Sequence, residues 1–235
     1  MLDVAIRRAE ALQGFAPGGK AATPWPVHSS LAEVLPDGLR RGSSLSVAGS
    51  LSLLLAVLGG PSSEGAWCAL LGMPPISAEA AVEYGVELSR LPVVIEPGGP
   101  TGQRRWTTMV GALLDTVDVV VARPPARVAP ADVQRLAARA RSRDAVLIAY
   151  LGATARSWPA ADLRLDARDS VWEGAAEGSG RLGSRRLTVS AEGRGRAARP
   201  LTAGLHLPAL GGGLAKGVAI ADLSPSEDLR LSRAG

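Results

Sequence analysis

Apolar runs of four to six residues alternate along the chain with longer stretches in which apolar positions recur every three or four residues. The first pattern fits strands buried on both faces; the second fits helices with one face on a core. Ser44–Ala48 (SLSVA), Ala66–Leu71 (AWCALL), Pro92–Ile95, Val117–Val121 (VDVVV) and Ala145–Tyr150 (AVLIAY) read as strands. Between them, Leu51–Leu58 reads as a short buried helix, Ser77–Tyr84 as a helix capped by Ser77, and Thr101–Asp115 as a helix with Trp106, Met109, Val110, Leu113 and Leu114 on one face. Pro130–Arg141 reads as a helix with proline in its first turn, burying Val133, Leu136, Ala137 and Ala140. Strand–helix alternation calls for a mostly parallel sheet with helices on both faces.

After Leu151 the rhythm changes. Asp162–Leu165, Arg186–Ser190 and Pro200–Leu207 read as strands, with Glu192–Arg196 (EGRGR) as a hairpin tip between the last two. They predict an antiparallel extension at the C-terminal side of the sheet. Residues 2–13 form an amphipathic pattern with Leu2, Ile6 and Ala9 on one face, and the Gly/Pro-rich stretch 14–28 reads as a linker. The expected organisation is therefore an N-terminal helix and linker over 1–28, a core domain over 29–207, and a poorly ordered Gly/Ser/Pro-rich tail over 208–235. Trp25, Trp158 and Trp172 fall in loop-like stretches, where they would serve as exposed anchors.

Composition narrows the chemistry. In 235 residues, aromatics are only 3%, so aliphatic side chains must build the core. One cysteine, Cys68, sits in an apolar strand and reads as core; it excludes a disulfide framework. Two histidines, His28 and His206, leave no His-rich metal set, and no metal is expected. No apolar run is long enough for a membrane helix, and residues 1–10 lack the pattern of a signal peptide, so a cytoplasmic location is expected. The net charge is +4, yet Arg181, Arg185, Arg186, Arg194, Arg196 and Arg199 against Glu192 give a local excess of five positive charges, leaving the remainder slightly acidic. Those six arginines are the candidate contact for single-stranded DNA phosphates. Leu2, Ile6 and Ala9 are the candidate contact for a protein partner or a second copy.

A strand–turn–helix near the start of an α/β domain is where phosphates are held. Here that turn is Ala48-Gly49-Ser50-Leu51-Ser52. A phosphate loop needs several residues between its glycines, then lysine and a hydroxyl. This turn is too short, has no lysine, and runs directly into leucines. The strand Val117–Val121 ends in Ala122-Arg123-Pro124, without an aspartate to hold magnesium, and Asp118 lies near its other end. No ATPase, no nucleotide cofactor and no catalytic residue are expected. Gly211–Gly217 also contains glycines and Lys216, but lacks the hydroxyl after the lysine and the following helix.

The segment Leu35-Pro-Asp-Gly-Leu-Arg-Arg-Gly42, followed by SSLSVAGS and an apolar helix, resembles the entry to the RecA core. In order after it, Glu64–Leu71 looks like the second strand of that core, Tyr84–Leu91 is similar to its LGVD-containing segment, and Val117–Val121 looks like the strand whose metal aspartate is Ala122 here. The resemblance covers about residues 30–150. Within that superfamily the chain looks most like the ImuA-type accessory proteins, which are RecA-like, related to the cell-division inhibitor SulA, and carry a decayed nucleotide site. The resemblance implies a non-catalytic adaptor in SOS-induced mutagenic translesion synthesis. Its implied partners are an ImuB-like inactive Y-family polymerase, an error-prone C-family polymerase and RecA, at the nucleoid. Gly49, Ser50, Leu51 and Ser52 would then be the degenerate phosphate-loop position. Gly72-Met-Pro-Pro75 holds no counterpart of the water-activating glutamate. Two other readings remain open at this point: a DNA-binding regulator of RecA filaments acting through Arg181–Arg199, and a SulA-like division inhibitor.

Overall fold

A computed structural model describes residues 23–95, 102–153, 157–176 and 179–217. The candidate helix over 2–13, with Leu2, Ile6 and Ala9, lies outside the described residues. The described strands are β1 (Ser44–Ala48), β2 (Cys68–Leu71), β3 (Val93–Val94), β4 (Val119–Ala122), β5 (Val146–Gly152), β6 (Leu163–Ala176), β7 (Ser179–Gly193), β8 (Leu201–His206) and β9 (Ala215–Gly217). The helices are α1 (Leu51–Ser63), α2 (Ala78–Glu83), α3 (Gly102–Leu114) and α4 (Pro130–Ser142). The strands form one sheet in the order β3-β2-β4-β5-β1-β6-β7-β8-β9. Pairing is parallel from β3 through β6 and antiparallel from β6 through β9.

Strand alternation divides the core into two layers. Leu45, Val47, Leu70, Val119, Val121 and Ile148 point to the face covered by α1 and α2. Ala69, Leu71, Val120, Ala122, Leu147 and Ala149 point to the face covered by α3 and α4. Helices thus shield both faces of the parallel half, which is why its strands are apolar throughout instead of alternating. Ser77 caps α2 by accepting the Ala80 N–H at 3.2 Å, and Pro130 sits in the first turn of α4, both as the sequence predicts. Trp106 is fully buried and meets Trp158 edge-on, with ring centroids 6.2 Å apart.

Five expectations change. The linker expected over 14–28 is fixed from its end: Trp25 pairs with Leu39 through two backbone hydrogen bonds, and the Pro26 carbonyl lies where any Cβ at Gly60 of α1 would come within 2.0 Å of it. Glycine at position 60 is what lets this segment lie on the helix. The tail expected to start at 208 still belongs to the sheet as far as Gly217, because β9 pairs with β8 and Lys216 forms an ion pair with Glu33. The strand expected at Asp162–Leu165 belongs to the parallel half and runs to Ala176, forming with β7 a hairpin much longer than expected. The tip expected at 192–196 is instead the end of β7 followed by a 3-10 turn over Gly195–Ala198. Of the three tryptophans expected in loops, Trp25 and Trp158 are buried; Trp158 donates its indole N–H to Ser44 Oγ at 3.0 Å. Trp172 is exposed, but on β6.

Replacing Trp106 by alanine removes a fully enclosed indole and its edge contact, and should lower stability by about 3–5 kcal/mol in urea unfolding. A loss under 1 kcal/mol would mean that the α3 face is not packed in this way.

Candidate functional site

The turn between β1 and α1 is built by backbone constraints. Gly49 has φ +83, a left-handed conformation that suits glycine. Its N–H donates to the Gly152 carbonyl of β5 at 2.7 Å, so this donor is turned toward the sheet. A Cβ at Gly49 would come within 2.2 Å of the Ala167 carbonyl oxygen. That oxygen belongs to β6, which pairs with β1 up to Ala48–Asp166 and then continues across the turn. Ser50, buried to 3% exposure, caps α1: its Oγ accepts the Leu53 N–H at 3.2 Å. The Ala167 carbonyl oxygen thus lies beside Gly49, and the Ser50 hydroxyl accepts from an N–H of the first turn of α1. Leu51 and Ser52 begin the helix and are half-buried.

The other RecA-type positions follow the same course. Ala122 ends β4, fully buried among the α3–α4 layer, in register with Leu71 and Ala149. Asp118 precedes β4 at the opposite end of the sheet from Gly49. There its Oδ2 accepts the Trp67 N–H at 2.9 Å, and Arg41 stands 3.7 Å from Oδ1 while its guanidinium lies 3.7 Å over the Trp25 ring. Burial pushes the Asp118 carboxyl above its ordinary range, against the opposing pull of the Trp67 N–H and Arg41. Asp118 ties the start of β4 to β2. Beside the turn, Asp166 receives Arg164 at 2.6 Å and Arg168 at 2.9 Å, closing an Arg–Asp–Arg cluster on β6. Cys68 is fully buried, and desolvation holds its thiol up at about 12, which makes it unreactive core.

The described arginines of 181–199 are spread along the sheet: Arg185 is within β7 and Arg194 just past its end, nine positions on, about 30 Å at strand rise. Arg186 is 5% exposed, with its Nε 3.7 Å from Glu173, and His206 approaches the same carboxylate. Arg185 donates to Ser170 Oγ and lies 5.9 Å over the exposed Trp172 ring. Arg194 reaches Asp162 at 3.5 Å, and Arg199 is exposed beyond the 3-10 turn. Nothing is described for the side chains of Arg181 and Arg196. Sequence reasoning missed Arg40, Arg41 and Arg141, which the fold brings beside Arg194 from separate segments around one cavity. Their separation in sequence left no local charge run to find.

Two predictions follow from this geometry. Gly49→Val forces a branched side chain into left-handed backbone and against the Ala167 carbonyl, and should cost roughly 3 kcal/mol or more in urea unfolding; a neutral substitution would show that β6 does not cross the turn. For Asp118, the folded carboxyl is raised above 3.8, so the native state binds the proton more tightly than the unfolded chain. Its contribution is most favourable below that value and declines as pH rises through the window above it. Relative to wild type, Asp118→Asn should therefore gain stability as pH increases through that window, read by thermal unfolding; a pH-independent difference would contradict the assignment.

Comparison with known proteins agrees with this architecture. The model of the MT3502 N-terminal domain family matches residues 33–160, just over half of the chain. The protein named Uncharacterized protein Rv3395c, from Mycobacterium tuberculosis (strain ATCC 25618 / H37Rv), is 31% identical over 167 residues, covering 68% of this chain and 78% of the relative. Among solved structures, the crystal structure of the RadB recombinase aligns with TM-score 0.54 at 16% identity, covering 80% of this chain and 97% of that one. At that identity the likeness speaks for the fold alone, a RecA-like α/β core. No helix among the described residues is long and apolar enough to cross a membrane. With the family model matching over half of the chain, β1 to β5 included, the chain belongs to the MT3502 N-terminal domain family, on a RecA-like fold.

Proposed function

We propose that this chain is a non-catalytic RecA-like adaptor in SOS-induced mutagenic translesion DNA synthesis. It bridges an ImuB-like inactive Y-family polymerase and an error-prone C-family polymerase in the cytoplasm, at the nucleoid. One observation carries the reading. The turn that holds phosphate in a RecA-type ATPase is closed here by the Ala167 carbonyl over Gly49 and by the Ser50 cap on α1. Phosphoryl transfer depends on cations and donors placed around the γ-phosphate. A turn presenting acceptor oxygens, with apolar Ala122 at the metal position, supplies the opposite chemistry. A scaffold retained without its chemistry is suited to holding partners.

A second reading has its own support. Trp172, 46% exposed with Arg185 over its ring, is a stacking platform for an unpaired base on the β6–β7 hairpin. It fits a regulator that touches single-stranded DNA beside RecA, using the hairpin in place of a continuous arginine patch.

Affinity capture of the tagged chain from DNA-damaged cells separates the two. The adaptor reading expects both polymerase-related proteins to be recovered after nuclease treatment. Recovery of RecA alone, lost on nuclease treatment, would favour the DNA reading; recovery of a division protein instead of the polymerases would overturn both.

A further inference from the structure

A concavity lies at the amino-terminal ends of the central strands β1 and β6, at the end of the sheet opposite the Gly49 turn. It encloses about 520 Å³, within the range of a site that takes an inserted side chain or small ligand. Exposed Pro36 and half-buried Leu163 form its apolar wall, with Leu35 and Leu39 of the core beneath. Arg40 comes from the turn before β1, Arg141 from the last turn of α4, and Arg194 from the end of β7. The first two are held together by backbone: the Cβ that Gly42 lacks would lie 3.3 Å from the Arg141 Cα.

The cations here are not equally spent. Arg41 is engaged by Asp118, Trp25 and the Thr23 carbonyl. Arg194 makes a 3.5 Å contact with Asp162, whose other oxygen accepts the Ser44 N–H at 3.0 Å. The side chains of Arg40 and Arg141 have no hydrogen-bond or ion-pair partner among the described residues. Both are exposed, so the guanidinium forks stand free over an apolar wall. Asp37 lines the same cavity.

We propose that this cavity binds an acidic, leucine-bearing segment of a partner protein. The leucine side chain enters between Pro36 and Leu163, and flanking carboxylates take the forks of Arg40 and Arg141. Guanidinium and carboxylate match as planar two-point partners, and the apolar wall supplies the desolvated centre that anchors a docked segment. Nucleic acid fits less well, because no aromatic side chain lines the cavity for base stacking. The cavity is at the other end of the strands from the β1–α1 turn, so its occupancy does not depend on whether nucleotide binds there.

The test uses the full chain and a short fluorescein-labelled peptide of alternating leucine and aspartate, read by fluorescence anisotropy. Saturable binding is expected, at least about tenfold weaker for the same peptide with lysine in place of aspartate. Arg40→Glu with Arg141→Glu should weaken the aspartate peptide by about tenfold or more at an unchanged melting temperature, because neither side chain has a structural partner to lose. A peptide bearing a photo-crosslinker should label the segments around Pro36 and Leu163. Undiminished binding to the double variant, or labelling elsewhere, would overturn the proposal. So would displacement of the peptide by a single-stranded oligonucleotide whose own binding is lost in the same variant, which would make the cavity a nucleic-acid site.

Discussion

The close passage of β6 over the turn after β1 is the constraint on which the site depends. A two-residue turn between strand and helix leaves no slack, so Gly49 adopts left-handed backbone and its N–H closes on Gly152. The strand beside β1 then carries on past it, and the Ala167 carbonyl rests where a side chain at position 49 would otherwise stand. The short loop and the long β6 act in the same direction, bringing two backbone segments together at this turn.

The two ends of the parallel strands differ in how they use charge. At the carboxyl ends, Arg164 and Arg168 close on Asp166. At the amino ends, Asp118 and Asp162 fasten strand starts to their neighbours through backbone N–H groups, while the side chains of Arg40 and Arg141 have no partner among the described residues. The parallel half of the sheet is the frame between these ends, with two apolar layers fixing its strands. The long β6–β7 hairpin projects from that frame with Trp172 exposed.

The parallel half was legible because every strand there is buried on both faces, so apolar runs mark it directly. Trp106, Val110 and Leu114 also reported their own layer through helical spacing. Beyond Leu165 the signal fades, since β6 continues as Asp-Ala-Arg-Asp-Ser-Val-Trp, with polar residues on a ribbon that no helix covers. The period-2 pattern returns only in β7 and β8, where Leu187, Val189 and Ala191, then Ala203, Leu205 and, just past β8, Leu207, are buried in the core. The short turn and the missing lysine were readable at Gly49–Ser52, whereas the approach of Ala167, more than a hundred residues away, was not. The arginine run at 181–199 is compact in sequence, whereas strand geometry spreads its described members along about 30 Å. The cationic cavity, assembled from four segments, left no local trace.

Titration calorimetry of the full chain with magnesium and adenosine triphosphate tests the central claim most directly. A turn closed by its own carbonyl and hydroxyl oxygens should give only the heat of dilution, with and without magnesium. Magnesium-dependent binding in the micromolar range or tighter, lost when Gly49 is replaced, would show that the cradle is open and would contradict the account.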